Sequence, residues 1–521
     1  MPGTNRMNAE CGATHVILVS NGIYGEKLLY VYPFVRKDVF ENGETTKKEH
    51  NTELSTTSHF ESETYTKRRQ KPTLTKIIDK ANKFPLTEFA FKSDILGHML
   101  IVHKDAYNKP FELKVDSFRF VAWPKSWRTK DSESDGYMFS IVFVLKTTAE
   151  PHTVEAYQRL SKKLAISFVT LQHCEGYLEK ELRIMEENDH EVADPFKFLK
   201  DQCKMARTIK EVFDEVVKTG SVHKYINNFI EIGFCDEAYS LARNSVMPKG
   251  RKEIKNIVRS IRPYHGILLL EDVLPTPDAN PSVALLLRHC SPDRSILDMS
   301  TASGIPIFEV FMIIRHLLLW TRAVLIYPLC NTNVYTSATS PQPLEKMIEK
   351  FAVQFGANIH LAAGLAHFNP PARLDTFIRP NLPLSEQQVR AKLVVALLRH
   401  QMLMQLHQFC YIIKPFSTAV CPKSERGCPE VLQKKISESC IDKSVQPIVA
   451  DICEQLLLTQ SFAQVEGKLS VFISMAPLMD GNHHMEDIKY QTNLKRSIIE
   501  GVLDSFQLVI AKFLRPDFVA E

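Results

Sequence analysis

The stretch from Thr14 to Phe34, THVILVSNGIYGEKLLYVYPF, constrains the fold of this chain more than any other. His15 to Ser20 is an unbroken apolar run without alternation, as a strand buried on both faces requires. Asn21-Gly22 supplies a turn that tolerates positive φ, and Gly25 loosens the return. Lys27 to Tyr32 comes back rich in aliphatic and aromatic residues, and Pro33 ends it. A hairpin therefore forms before any helix, and the fold class expected from the whole pattern is α+β.

Residues 36 to 80 change character. ENGETTKKEHNTELSTTSHFESETYTKRRQK is nearly free of aliphatic residues and cannot repay its ordering entropy. It reads as a disordered insertion inside a domain, with the basic cluster Lys67-Arg68-Arg69 at its edge as a solvated loop end. A short helix follows Ser93-Asp94. Phe111 to Val115 alternates on odd positions and Phe118 to Phe120 on even ones, so Asp116-Ser117 is a tight turn between two strands. Tyr137 to Leu145 is a further strand, apolar on both faces.

Pro151 opens a helix carrying Tyr157, Leu164, Leu171, Leu178 and Met185 every seven residues. Run unbroken to Glu187 it would be roughly 55 Å long, so its second half is expected to project beyond a small sheet. The expected division is 1–187, then an intermediate domain 188–279, a winged-helix-like domain 280–340, a linker with one helix 341–383, and a helix–strand domain 384–521. In the intermediate part Ala206 to Lys218 is an amphipathic helix ended by Gly220, and Val222 to Phe234 gives one or two strands. In the winged-helix-like part Ile307 to Leu318 is the second helix, with wing strands at Ala323–Pro328 and Asn333–Tyr335. That helix is almost wholly aliphatic. Reading DNA requires side chains that reach base edges and phosphates, so burial against its own domain or another subunit is expected instead. The last domain repeats one plan twice: helix 384–406 into strand 409–413, and helix 486–506 into strand 508–513.

A net charge of +4 over 521 residues excludes a nucleic-acid-coating protein. Eleven scattered cysteines without a CxxC pair read as reduced cytosolic thiols. Cys421 and Cys428, with six residues between them, are expected to be solvent-facing thiols and not metal ligands. The first residues lack an apolar signal core, and the most apolar run, Ile305 to Trp320, is too short to span a bilayer. A cytosolic protein is expected, held at a membrane only indirectly, through partners.

GxxxxGK[ST], GxGxxG, GxSxG and HExxH are absent, so the chain offers no phosphate cradle or hydrolase motif. His483-His484-Met485-Glu486-Asp487 reads as a helix start with an acidic first turn, not a metal site. No catalytic, cofactor-binding or metal-binding residue is assigned.

ILVS-x-G-x2-G-x-KLL-x-x-YPF, followed by PFELKVDSFRFV, IRPYHGILLL and YPLCNTNVY in colinear order, resembles the nitrogen permease regulator 3-like family. The resemblance implies an N-terminal longin domain and a non-catalytic scaffold subunit of the GATOR-one complex. Its implied partners are the nitrogen permease regulator 2-like sister subunit, a large DEP-domain subunit and, through the complex, Rag GTPases, with no nucleic acid. The complex would promote GTP hydrolysis at the lysosomal membrane and inhibit TOR complex one when amino acids are scarce. In the family picture the arginine finger belongs to the sister subunit, in the loop before a longin strand. Here the residues before Tyr137 are Ser132-Glu133-Ser134-Asp135-Gly136, and acidic groups there would repel a phosphate. Arg128 lies further upstream. The alternatives are a longin-type trafficking or tethering protein, weakened by the lack of SNARE heptads, and a transcription regulator, weakened by the aliphatic second helix.

Overall fold

The computed structural model describes residues 12–22, 25–33, 93–128, 137–187, 199, 202–244, 246–270, 273, 275, 279–339, 343–356, 360–414 and 428–517. The insertion read at 36–80, with Lys67-Arg68-Arg69, lies outside them. Two compact units divide between Arg243 and Asn244.

In the first unit the N-terminal hairpin forms as its sequence demands, β1 (His15–Gly22) against β2 (Gly25–Tyr32). After α1 (Ser93–Leu100) come β3 (Phe111–Val115), β4 (Phe118–Ala122), β5 (Lys125–Trp127) and β6 (Tyr137–Lys146). The antiparallel sheet runs β2-β1-β6-β4-β3, and β5 also pairs with β6. Strand β1 is buried from His15 to Ser20 and β6 from Met138 to Leu145, with Leu18 opposite Ile141 and Val16 opposite Phe143. Two apolar faces on one strand need cover on both sides, which explains the runs without alternation. Helix α2 (Pro151–Glu175) fastens to the sheet through Ser161, whose hydroxyl accepts from the Trp123 N–H at 2.9 Å and donates to the Ile141 carbonyl at 2.7 Å. Strand β5 was not expected: three residues carry too little pattern to distinguish a strand from a turn.

The long helix is a correction. It breaks at Gly176, which takes φ +66° and caps α2 by donating to the Gln172 carbonyl. Helix α3 (Tyr177–Glu187) follows the break, burying Tyr177, Leu178, Leu182 and Met185 in the core of the sheet. The heptad positions are apolar because both halves face one core, not because one rod extends past it. The same core takes in Ile209, Val212, Phe213 and Val216 of α4 (Lys204–Thr219). It also takes Val222 and Phe234 from the hairpin β7 (Ser221–Ile226) and β8 (Ile230–Cys235).

Gly220 ends α4 at φ +77°, and a Cβ there would meet the Tyr239 ring at 2.7 Å. Beside it Asp236 caps α5 (Glu237–Arg243): its N–H donates to the Gly220 carbonyl at 2.7 Å and its Oδ1 accepts from the Tyr239 N–H. Its Oδ2 has no partner. Burial raises the Asp236 pKa to about 7. The unfolded carboxyl ionises near pH 4 while the folded one stays protonated, so this group costs stability as pH rises from about 4 to 7. Asp236→Asn keeps the capping oxygen and removes the desolvated charge. The expected result is slower amide exchange across residues 221–243 at pH 8, by at most about 4 kcal/mol of opening free energy, and little change at pH 4. An equal effect at both pH values would refute the assignment.

In the second unit α6 (Arg251–Arg259) precedes β9 (Gly266–Leu269). Then come α7 (Pro281–His289), α8 (Ile296–Ser303), α9 (Ile307–Leu319), β10 (Ala323–Ile326) and β11 (Val334–Ser337). Helix α7 is capped by Asn280 and α8 by Ser295, as those residue types favour. The two expected wing strands do not pair with each other. Strand β10 pairs with β9, and β11 joins a five-stranded sheet through β13 (Leu403–Ile412) and β12 (Ala372–Arg373). Alternation identifies a strand but not its partner, and the turn at 330–333 carries the chain to a second sheet.

The expected linker 341–383 is also corrected. Its helices α10 (Leu344–Phe355), α11 (Leu361–His367) and α12 (Leu374–Phe377) place Met347, Phe351, Leu361, Leu374 and Phe377 in one core with Tyr335 and Leu397. Prolines mark its turns, not a lack of packing.

Helix α13 (Leu384–Arg399) ends before β13. Then follow α14 (Glu430–Ser437), α15 (Gln446–Thr459), α16 (Phe462–Met475) and β14 (Asp480–His484). The second expected helix divides at Asn493, in the left-handed region at φ 54°, into α17 (Met485–Thr492) and α18 (Arg496–Ser505). The strands closing the two repeats, β13 and β15 (Ile510–Pro516), lie side by side with Phe409 opposite Phe513. Cys428 packs half-buried against the core of α14–α18, where burial raises its pKa, so it is not a solvent-facing thiol. Cys421 lies outside the described residues.

Candidate functional site

Three motifs that stand apart in the sequence, IRPYH, YPLC and HHMED, meet in one buried cluster of the second unit. Asp487 sits in the first turn of α17, and its backbone N–H donates to His484 Nδ1 at 3.2 Å. That fixes the tautomer: the proton of neutral His484 is on Nε2. Nε2 lies 2.9 Å from Tyr327 Oη and donates to it, and the Tyr327 hydroxyl donates to Asp517 Oδ2 at 2.7 Å. A polarised chain thus runs from the helix start through an imidazole and a phenol to a buried carboxylate that directly follows β15.

Rings surround this chain. His407 of β13 lies 3.9 Å from Tyr327, centroid to centroid, and His265 contacts the same ring edge-on at 5.1 Å. Tyr264 stacks on Tyr327 at 6.1 Å and reaches Asp487 Oδ1 at 3.5 Å. His265 Nδ1 accepts from the Arg262 N–H, which shapes the turn of IRPYH. His483, the neighbour of His484, points the other way and pairs with Asp487 Oδ2 at 2.6 Å. The expected helix start with an acidic first turn is therefore present, with His484 as its cap.

Burial, reinforced by the neighbouring His484, lowers the pKa of His265 and of His407 to about 3. Burial lowers His484 as well and raises Tyr264 and Tyr327 far above the ordinary phenol. Groups shifted in these directions stay neutral at pH 7 and hold their protons in place. A general acid or base would need a pKa near the working pH. The arrangement instead ties β9, β10, β13, α17 and the residue after β15 into one joint. His407 and Asp517 could not be assigned from the sequence, since neither stands in a motif and their partners are 80 and 190 residues away.

Among the described residues no group of three or more His, Cys, Asp or Glu could hold a metal ion. Arg128 is exposed immediately after β5, whose Trp127 pairs with Tyr137 at the start of β6. Ser132 to Gly136 lie outside the described residues.

A family model described as Nitrogen Permease regulator of amino acid transport activity 3 matches residues 125–415. That span holds β5 and β6 of the first sheet, together with IRPYH and YPLC. The chain is 59% identical over 454 residues to a GATOR complex protein NPRL3 of Caenorhabditis elegans, covering 87% of this chain and 89% of that protein. It is 28% identical over 338 residues to a Drosophila melanogaster protein of the same name, covering 61% and 55%. A Nitrogen permease regulator 3-like protein of Schizosaccharomyces pombe is 22% identical over 430 residues, covering 73% and 72%. With the family model spanning more than half the chain and one relative matching it almost end to end, this chain belongs to the nitrogen permease regulator 3 family.

Proposed function

We propose that this chain is a non-catalytic scaffold subunit of a GATOR complex in amino-acid signalling. The observation that carries the reading is the 59% identity, across 87% of the chain, to a protein named for that complex. In this reading the first sheet with its helices is a longin domain that pairs with the nitrogen permease regulator 2-like sister subunit. Two strands, a helix, further strands and a covering helix, in that order, support it. The second unit, with its helix–turn–helix of α8 and α9, holds the heterodimer together and connects it to the large DEP-domain subunit. The assembly accelerates GTP hydrolysis by a Rag GTPase at the lysosome and so restrains TOR complex one. Stoichiometric co-purification with the sister subunit, and not with coat or tether components, separates this from a trafficking role.

The sister subunit supplies the catalytic arginine, and Arg128 is a surface residue of the scaffold. Losing a true finger costs about 10³–10⁵ in rate. Arg128→Ala is expected to change single-turnover GTP hydrolysis by the intact complex by less than about threefold, the scale of a surface contact. Assembly is checked by gel filtration, because a broken scaffold would imitate a catalytic defect. A loss of roughly a hundredfold with assembly intact would make this chain catalytic and overturn the reading.

A further inference from the structure

Helix α9 is rich in large apolar side chains, yet only one side of it is covered. Val310, Ile314, Leu317 and Leu318 are buried, while Phe308 is 71% exposed and Met312 47% exposed on the opposite side. The exposed side also holds Glu309, Arg315 and His316, so two large apolar side chains stand among polar ones. Leu297 of the neighbouring α8 is 51% exposed. Helix α6 packs on α9. Its sequence RKEIKNIVR carries four cations and one carboxylate, its inner side chain Ile254 is buried, and Lys252, Lys255 and Arg259 are exposed. Arg315 on α9 is exposed as well.

From this pairing we propose that the α6–α9 layer is a docking surface for an anionic lipid membrane. Large side chains standing out from the surface beside exposed Lys and Arg are what interfacial membrane contact needs. The apolar tips enter the acyl boundary and the cations meet the headgroups. The layer lies on the membrane without crossing it. No described helix is long and apolar enough to span, and α8 and α9 meet at a 119° bend with α9 half-buried in its own fold. The inference goes beyond the assembly reading and does not depend on it. It also departs from the expectation that membrane contact comes only through partners.

The test is flotation of the full chain with vesicles of phosphatidylcholine alone or with about 30% phosphatidylserine. Two paired variants, Phe308→Ser with Met312→Ser and Lys255→Glu with Arg259→Glu, are compared with Val353→Ser, which alters an exposed apolar residue of α10. The expected result is at least tenfold more binding to the anionic vesicles, lost in 0.5 M salt and lowered about tenfold or more by either paired variant, with Val353→Ser unchanged. All these residues are exposed, and circular dichroism verifies the fold. Equal binding to neutral vesicles, or variants that bind like wild type, would overturn the proposal. So would vesicles that fail to bind while the Phe308 and Met312 pair is needed to retain a stoichiometric protein partner. That outcome would assign the face to a protein.

Discussion

Phe143→Asp is expected to abolish folding of the first unit. Phe143 is fully buried in β6, opposite Val16 on one side and Val121 on the other, with its ring 5.2 Å from Tyr157. A carboxylate there loses its hydration without gaining a cation. It costs several kcal/mol on top of the lost apolar burial. A domain stable by about 5–15 kcal/mol does not absorb that together with the disruption of three strands. Leu18→Asp, opposite Ile141 on β1, should behave alike, whereas Ile166→Asp on the exposed side of α2 should change stability by only about 0.5 kcal/mol. Soluble yield and circular dichroism decide the matter. Normal values for either buried variant would mean that the strands are not covered on both faces.

The second large effect is acid sensitivity of the second unit. His265 and His407 titrate near pH 6.5 when unfolded and near 3 when folded, so between those values the unfolded chain binds more protons. Stability therefore rises with pH through this window and is lost as pH falls below about 6.5. At pH 5 the loss is about 2 kcal/mol for each histidine. Burial sets the sign, and the groups facing them modify it. Arg262 and His484 oppose a new positive charge, Asp487 favours one on His265 more weakly, Tyr264 and Tyr327 stay neutral, and the Asp517 carboxylate is engaged by Tyr327. His407 Nε2 has no acceptor, and a second proton on His484 would point at the Asp487 N–H. Amide exchange across 403–412 and 510–516 should accelerate on acidification from pH 7 to 5. In His407→Phe, which keeps a ring against Tyr327, roughly half of that dependence should vanish. An unchanged pH slope in the variant would refute the linkage. Asp236, in the first unit, slopes the other way, so the two units are distinguished by opposite responses to pH.

Much of this architecture was legible from residue pattern. The hairpin of β1 and β2, the doubly buried β6 and the amphipathic α4 with its Gly220 cap follow from periodicity and local backbone preference, which act over a few residues. His484 as the start of a helix was readable for the same reason. Family membership was legible as well, because the motifs keep their order along the chain. Tertiary structure decided the rest. Whether Leu178 and Met185 extend a rod or join the core of the sheet depends on the break at Gly176, which a heptad count does not weigh. Whether β10 pairs with β11 or with β9 is chosen by which edge is within reach, and alternation is the same for either partner. The Tyr327–His484–Asp517 chain joins residues up to 190 positions apart, and no local preference specifies a contact at that distance. Composition and spacing determine which segments are strands, helices and turns. Only the folded chain determines which of them share a core, because burial is a property of what arrives from elsewhere in the sequence.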